Sequence, residues 1–233
     1  MLDLGKVRAI SFDLDDTLWP IWPTIERAEK ALLDWLTANA PVAATLFADA
    51  VIVRELRDSI GVNRPDLKHD LSAVRQELIR LALERAGEDS SRAGVAFEVF
   101  FAERQRVTLF DDSLACLEFL SARFPLVSLS NGNADLQRVG LARYFRAAVS
   151  AREFGVGKPD PRIFVAAAGA VGVLPEHVLH VGDDITLDAL GAIDAGMQAA
   201  WINRDEQLWP HEATPHLTLT SLDQLCALFR DND

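Results

Sequence analysis

Several features that mark whole classes of protein are scarce in this sequence. There are two cysteines, Cys116 and Cys226, which lie far apart and in no spacing typical of a metal site. This usage is typical of small core residues in a reducing compartment. No apolar run approaches the ~20 residues that a membrane-spanning helix needs. No charged segment followed by an apolar one marks a secretory signal at the N-terminus. We therefore expect a soluble, cytoplasmic protein with no membrane partner.

Positive charge is also scarce. The 23 lysines and arginines stand against 35 aspartates and glutamates, for a formal net charge of −12. A nucleic-acid backbone needs a basic protein face, so this charge argues against a nucleic-acid partner. It is compatible with a small phosphorylated substrate, because a bound metal ion can reverse the sign of the charge locally. The length of 233 residues predicts one large domain or two modest ones, in a monomer or a homodimer.

Apolar runs of strand length alternate with helical patterns along most of the chain. The run 7–12 is the first predicted strand, and later ones lie at 126–130, 147–150, 178–181 and 199–202. Strands that alternate with helices predict an α/β fold, a Rossmann-like doubly wound parallel sheet covered by helices on both faces. The last helical pattern follows Ser221, its predicted N-cap.

A purely helical block interrupts this alternation directly after the first strand. Four helical patterns follow one another, the second of them running from Leu46 to a stop near Gly61. We predict an all-helical domain at 19–106, inserted into an α/β core at 1–18 and 107–233. Pro20 and Pro23 predict a stiff hinge at the first crossing, because proline blocks helix continuation.

Acidic residues crowd together at the end of the first predicted strand. Asp13, Asp15 and Asp16 follow the run 7–12 within four residues. Packing supplies no reason for their mutual repulsion, which a cation or a shared proton would offset. The alternative is a solvated acidic turn, the ordinary interpretation of any one of these aspartates taken alone.

Polar residues follow other predicted strands in the same way. In an open parallel sheet, ligands bind beyond the carboxyl ends of the strands. Taken singly, Ser130 is a turn former, Lys158 a surface charge and Asp183 a helix cap. Their joint occurrence favours one ligand site, built from Ser130-Asn131-Gly132, from Lys158-Pro159, and from Gly182-Asp183-Asp184 with Asp188.

These segments resemble the four ordered motifs of the haloacid dehalogenase-like hydrolase superfamily. The first motif is Asp13-Leu14-Asp15-Asp16-Thr17, and the others begin at Ser130, Lys158 and Gly182. The helical insert resembles the cap domain of subclass I, and the remainder resembles the catalytic core. More narrowly, the runs after Ser130 and over 180–199 resemble a bacterial subgroup with a phosphatase of the riboflavin pathway, which acts on a phosphoribitylamino-pyrimidine. The resemblance implies a phosphomonoester hydrolase for a small soluble phosphometabolite, with a flavin-precursor phosphate as one candidate.

The resemblance also implies a mechanism with an aspartyl-phosphate intermediate. Asp13 is then the nucleophile, and Asp15 protonates the leaving alkoxide and later takes a proton from the hydrolytic water. Lys158 adds positive charge beside the transferring oxygens, and Ser130 donates a hydrogen bond to one of them. Mg²⁺, which favours oxygen ligands, is implied at the Asp13 carboxylate, the main-chain carbonyl of Asp15 and the Asp183 carboxylate.

Supporting roles are implied for other residues of the same motifs. Thr17 is expected to brace the first loop. One of Asp184 and Asp188 is expected to orient a metal-bound water or Lys158, and the other to cap the next helix; the sequence leaves open which. Main-chain N–H groups that could contact substrate belong to Leu14, Asn131 and Gly132.

A few residues outside the motifs carry weaker expectations. His69 is a candidate substrate contact, because the narrower resemblance includes a His-Asp pair at this point. Arg75 is a poorer candidate, and a solvated charged face is the alternative for both. We interpret His177 and His180 as structural, and Trp19 as packing at the hinge.

Two other functions compete with the phosphatase interpretation. A haloacid dehalogenase would use the same fold, but dehalogenases of the family lack the second acid that Asp15 supplies and need no metal. A non-catalytic phospho-accepting module, such as a receiver domain, also uses an aspartate pocket with a lysine. Receivers are about half this length, lack a helical insert and place the acceptor at a later strand.

Overall fold

The structure is a computed structural model that describes residues 1–231, and it divides into two compact units. The first unit comprises Met1–Pro20, Thr108–Gly132 and Val139–Asp233, of which residues 232 and 233 lie outside the described residues. The second unit comprises Ile21–Val107 together with Asn133–Arg138. The boundaries drawn from the sequence did not group this last short segment with the helices.

A six-stranded sheet forms the centre of the first unit. Every pair of neighbouring strands is parallel, and the spatial order is β3-β2-β1-β4-β5-β6. The strands are β1 Ala9–Phe12, β2 Leu126–Ser130, β3 Ala147–Ser150, β4 Val178–Gly182, β5 Gln198–Ile202 and β6 Leu217–Leu219. This topology confirms the predicted doubly wound parallel sheet.

Burial explains why the sequence signals the inner strands so clearly. Every residue of β1, β2, β4 and β5 is buried, as continuous apolar runs between two helix layers require. The strand β6 is three residues long and lies at the edge, and its signal was too short to be predicted. The chain winds in one direction from β1 to β3 and in the other from β4 to β6, so the strand order reverses between β1 and β4.

Helices pack against this sheet around an apolar core. Ile163, Phe164 and Val178 are among its fully buried members. Cys116 and Cys226 are buried as well, as predicted. The helices of this unit are α6 Ser113–Ser121, α8 Ala151–Phe154, α9 Pro161–Ala170, α10 Gly191–Asp194 and α11 Leu222–Arg230, with a π-helix at Ile185–Leu190. The short helix α7 Leu136–Val139 falls at the boundary, with residues 136–138 in the second unit.

All the longer elements of the second unit are helices. Its helices are α1 Ile21–Asn39, α2 Pro41–Phe47, α3 Ala50–Asn63, α4 Leu71–Arg85 and α5 Ala93–Arg104. Leu32 and Leu36 of α1 and Phe100 of α5 belong to one apolar cluster. The helix count differs from the four patterns predicted, because Asp49 accepts hydrogen bonds from the N–H groups of Val51 and Ile52 and starts a new helix.

One local prediction about a helix end was wrong, and another was confirmed in position only. Pro23 does not prevent a helix, since it lies in the first turn of α1, where proline is tolerated. Ser221 occupies the N-cap position of α11 without a capping hydrogen bond from its side chain. The N–H of Leu222 instead donates to Asp112 Oδ2 at 2.8 Å. No helix among the described residues 1–231 is long and apolar enough to cross a membrane.

Candidate active site

The carboxyl ends of β1 and β4 bring the first and last motifs together at the point where the strand order reverses. The N–H of Asp13 donates to Val181 O at 2.9 Å, which continues the β1–β4 ladder to the candidate nucleophile. The chain then turns sharply: Asp16 has φ 59°, and its N–H donates to Trp19 O at 2.7 Å. Aspartate is one of the few residues that tolerate this left-handed conformation, which accounts for an aspartate at position 16.

Lys158 lies between two carboxylates. Its Nζ atom is 2.6 Å from Asp13 Oδ1 and 2.5 Å from Asp188 Oδ1. All three side chains are almost completely buried. Charges removed from water in this way are retained only when they are paired, so the three form one electrostatic unit.

The pKa values in this cluster follow from burial and from the shared charges. Burial disfavours the charged form of Lys158, but the negative charges of Asp13 and Asp188 outweigh it and raise the pKa of the lysine. Burial also opposes the charge on Asp188, yet Lys158 and the His180 hydrogen bond hold the pKa of that carboxyl below its usual range. For Asp13, burial dominates over Lys158 and raises the pKa well above its ordinary value.

Asp188 is placed by a π-helix and a glycine. It lies in the π-helix that follows β4, and its carboxylate packs against the backbone of Gly182. A Cβ atom on Gly182 would lie 2.3 Å from Asp188 Cγ, which no real pair of atoms tolerates. Behind it, His180 Nε2 is 3.1 Å from Asp188 Oδ1, and His180 Nδ1 is 2.9 Å from Ser11 Oγ. Burial lowers the pKa of His180, so the neutral ring donates from Nε2 to the carboxylate and accepts from the Ser11 hydroxyl at Nδ1.

Asp183 is held from two sides. Thr17 Oγ1 donates to Asp183 Oδ1 at 2.9 Å, and the indole Nε1 of Trp201 donates to the main-chain oxygen of Asp183 at 2.7 Å. Burial, and then the negative charge of Asp188, raise the pKa of Asp183 to about 7. The carboxylate is therefore fixed in position with its negative charge incompletely compensated.

The cluster of three carboxylates suits a divalent cation. One oxygen each from Asp13, Asp183 and Asp188 lies within 4.8 Å of the others. Oxygen-only ligands at this spacing fit Mg²⁺. Burial and neighbouring acids raise the pKa values of Asp13 and Asp183, and a cation would stabilise their ionised forms. Asp188 already accepts hydrogen bonds from Lys158, from His180 and from the N–H of Asp184. The pair Asp13 and Asp183 is therefore the better match to the metal ligands that the family resemblance implies.

The second motif supports Lys158 through its backbone. Asn131 Nδ2 donates to Lys158 O at 2.9 Å, and Lys158 N donates to Asn131 Oδ1 at 2.7 Å. The amide also approaches Gly157 so closely that a Cβ there would lie 2.6 Å from Asn131 Oδ1. Ser130 Oγ accepts the N–H of Gly132 at 2.9 Å, which leaves its own proton to donate.

Hydrogen bonds distinguish the positions of Asp184 and Asp188, which the sequence left open. Asp184 accepts the N–H groups of Thr186 and Leu187 at 2.7 Å, the geometry of a helix N-cap, while Asp188 is the partner of Lys158. Leu14 is buried beside Asp13. His69 is half-buried directly before α4, and its substrate contact stays a prediction.

Three residues around the site make contacts that the sequence did not predict. Trp19 is completely buried and donates from Nε1 to Asp15 Oδ1 at 2.8 Å, so it does more than pack at a hinge. His180 contacts Asp188. Arg204 Nη2 donates to Thr17 O at 3.3 Å, and its Nη1 and Nη2 atoms each donate to Asp112 at 3.0 Å. The position of His180 in an otherwise apolar strand could have indicated that its ring has a buried polar partner. Arg204 lies far along the chain from Thr17, and no sequence pattern indicated their contact.

Comparison with known proteins identifies the family. Residues 7–196 match the haloacid dehalogenase-like hydrolases. The chain is 35% identical to the 5-amino-6-(5-phospho-D-ribitylamino)uracil phosphatase YigB of Escherichia coli (strain K12), with 97% of each covered. It is 40% identical to a phosphoserine phosphatase of Thermus thermophilus over 65% of this chain and 63% of that one.

A solved structure with the same fold is named for a different activity. The 2-haloacid dehalogenase from Pseudomonas syringae pv. tomato DC3000 superposes with a TM-score of 0.92 and is 38% identical. The match covers 97% of this chain and 100% of that one. Together with the four motifs, these matches establish that the chain belongs to the haloacid dehalogenase-like hydrolase family.

Proposed function

We propose that the protein is a Mg²⁺-dependent phosphomonoester hydrolase that transfers the phosphoryl group of a small metabolite to Asp13 and then to water. The observation that carries the proposal is the setting of Asp13, with Lys158 at 2.6 Å and the Asp183 carboxylate in reach of a shared cation. A carboxylate attacks an anionic phosphoryl group only when positive charge surrounds both. Lys158 supplies part of that charge from the protein.

In the first step, Asp13 attacks phosphorus and the bond from phosphorus to the ester oxygen breaks. Asp15 gives its proton to the departing alkoxide, which is otherwise a poor leaving group. The Ser130 hydroxyl donates to a phosphoryl oxygen, and the ammonium of Lys158 stabilises the charge that moves onto those oxygens. Asn131 keeps Lys158 in place through its two backbone bonds.

In the second step, water hydrolyses the aspartyl phosphate. Asp15, now ionised, accepts a proton from the attacking water, inorganic phosphate leaves and the Asp13 carboxylate is restored. Asp15 therefore acts as acid and then as base in one cycle. The residues that would hold Mg²⁺ are Asp13 and Asp183, with the carbonyl oxygen of Asp15. The bound cation would neutralise negative charge on the phosphoryl group.

We propose a flavin-precursor phosphate as the substrate class, a ribitylamino-pyrimidine monoester. The support is the 35% identity, over 97% of both chains, to a phosphatase named for such a compound. The family also contains relatives named for phosphoserine and for sugar-type phosphates, so the fold alone does not select the substrate. We place the enzyme in the cytoplasm, with the helical segment 19–106 as the part that selects the leaving group.

A panel of phosphorylated metabolites tests both levels of the proposal. Phosphate release would be measured with Mg²⁺ and again after exhaustive chelation. We expect turnover of several monoesters, the highest kcat/KM for the ribitylamino-pyrimidine phosphate, and loss of all activity without the cation. Preference for an unrelated metabolite would overturn the substrate assignment and leave the chemistry intact.

Carbon–halogen hydrolysis is the second candidate, and the 38% identical structure named a dehalogenase favours it. The residue that separates the two chemistries is Asp15, since a halide leaves without needing a proton. Halide release from 2-chloropropionate would be measured beside phosphate release. Halide turnover without a metal, together with no phosphatase activity, would replace the proposed function by this one.

A further inference from the structure

Trp19 is joined to the turn at Asp15 and Asp16 by two hydrogen bonds. Its side chain is completely buried, and Nε1 donates a hydrogen bond to Asp15 Oδ1 at 2.8 Å. Its main-chain oxygen accepts the N–H of Asp16 at 2.7 Å, so the ring and the turn are held by the same residue. The base of the turn is fixed as well, because Leu18 O accepts hydrogen bonds from Phe110 N and Ser113 Oγ.

The chemistry of the indole makes this contact asymmetric. An indole N–H donates a hydrogen bond and never accepts one. Asp15 Oδ1 must therefore be an acceptor whether the carboxyl group is ionised or protonated. The carbonyl oxygen of a carboxylic acid is its stronger acceptor, so this contact favours a proton on Oδ2, and the N–H fixes the rotation of the carboxyl group about its last torsion.

We propose that Trp19 is a positioning residue that makes Oδ2 of Asp15 the oxygen that exchanges the proton. This inference rests on the proposed function, in which Asp15 is the general acid and base. In the first step the Oδ2–H bond breaks as the proton moves to the ester oxygen, whose bond to phosphorus breaks while Asp13 bonds to phosphorus. In the second step the water oxygen bonds to phosphorus, the bond from phosphorus to Asp13 breaks, and Oδ2 takes the proton of the water, so Asp15 returns to its protonated state.

The ordinary explanation of the contact is structural. A buried tryptophan needs an acceptor for its N–H, and Asp15 would then serve Trp19 rather than the reverse. The two explanations differ in what they predict for substrates with different leaving groups. A positioning role affects only reactions that need a proton from Asp15, whereas a structural role affects the whole site.

The test compares Trp19→Phe with the wild type on two substrates. Phenylalanine keeps an aromatic ring and removes the N–H. We expect kcat/KM for an alkyl phosphate to fall by about tenfold or more, as for loss of a hydrogen bond to a charged group. For p-nitrophenyl phosphate, whose leaving group needs no proton, the fall should stay within about threefold. Trp209→Phe is the matched control, since the N–H of Trp209 donates to the main-chain oxygen of Ala213 and not to a carboxylate; it should leave the ratio of the two substrates unchanged.

The double variant separates this inference from the proposed function. If Asp15→Asn slows the alkyl phosphate selectively, the acid role stands, and adding Trp19→Phe should then cost nothing further on that substrate. Equal losses on both substrates, or no loss, in Trp19→Phe would overturn the positioning role alone. If Asp15→Asn shows no selectivity, the acid role itself is wrong. Should Trp19→Phe fail to fold, benzothienylalanine at position 19 keeps the shape of indole with sulfur in place of the N–H, and the same ratio decides.

Discussion

The Nζ atom of Lys158 lies 2.5 Å from Oδ1 of Asp188, in a buried pair directly behind the candidate nucleophile. Asp188 in turn accepts from His180 Nε2 and from the N–H of Asp184 at 3.0 Å. Asp188 is thus fully bonded while Lys158 also reaches Asp13. Asp188 therefore holds the ammonium group of Lys158 in a position from which it also binds Asp13.

Asp188→Ala should lower the stability of the protein far more than Asp184→Ala. It leaves the buried Lys158 with one partner and His180 with none for Nε2. We expect the free energy of unfolding to fall by about 3–5 kcal/mol, as for one removed member of a buried ion pair. Asp184→Ala, which removes a helix cap, should cost about 1 kcal/mol. Urea denaturation of the two variants checks the difference, and equal losses would contradict the pairing of Lys158 with Asp188.

Gly182→Ala tests the close packing of the same carboxylate. The added methyl group would lie 2.3 Å from Asp188 Cγ and must displace it. We expect a destabilisation of about 1–3 kcal/mol, typical of overpacking, together with a large loss of turnover. The control is Gly169→Ala in α9, where a Cβ meets nothing within 4 Å and alanine favours the helix by up to about 1 kcal/mol. Wild-type turnover in Gly182→Ala would show that the position of Asp188 is unimportant.

Metal binding should depend on pH in a direction set by Asp183. Burial and Asp188 raise the pKa of this carboxyl from 3.8 to about 7. A raised carboxyl pKa favours the folded, metal-free protein below pH ~4, and that contribution is lost as the pH rises through about 7. Because a metal ligand must be ionised, the cation should restore what is lost. We expect the rise in Tm on adding Mg²⁺ to be larger at about pH 8 than at about pH 6.

The variant Asp183→Asn provides the control for that experiment. It removes the titrating group and a metal ligand at once, so both the response to Mg²⁺ and its pH dependence should shrink. Calorimetry in buffers of different ionisation enthalpy should show proton release on metal binding by the wild type at about pH 6. A Tm response to Mg²⁺ that is the same at both pH values would contradict the assignment of Asp183 as a ligand.

His69 and Arg75 allow a test of substrate selection by the helical unit. Arg75 is engaged within that unit, with Nη2 2.7 Å from Glu29 Oε1 and its guanidinium 4.5 Å from the ring centre of Phe100. Arg75→Ala should therefore lower stability. His69→Ala should raise KM for the natural metabolite and leave turnover of p-nitrophenyl phosphate unchanged. Equal effects of His69→Ala on both substrates would remove it from the substrate contacts.

The grouping of the motif residues could be predicted because it depends on few physical rules. Asp13 and Asp183 each follow a buried strand, Ser130 is the last residue of one, and the carboxyl ends of parallel strands share one edge of a sheet. Lys158 could be grouped with them because it lies in the loop just before the next helix, α9. These rules need no knowledge of side-chain conformation.

The finer contacts could not be predicted because they depend on local backbone geometry. A π-helix after β4, rather than a regular helix, decides that Asp188 reaches Lys158 and Asp184 becomes the cap. The left-handed residue Asp16 returns the chain so that Trp19 meets Asp15. Neither feature leaves a periodic pattern of apolar residues, which is the signal that sequence analysis relies on.

Phosphate release by Asp13→Asn tests the central claim most directly. The substitution keeps the size of the side chain and removes the nucleophilic oxygen anion. With Mg²⁺ present and contaminating phosphatase excluded, we predict a fall in kcat of at least about 1,000-fold, with a folded protein by circular dichroism. Asp16→Asn, the same change three residues on at a left-handed position that asparagine tolerates, should stay within about threefold of the wild type. Turnover by Asp13→Asn within about tenfold of the wild type would contradict the account.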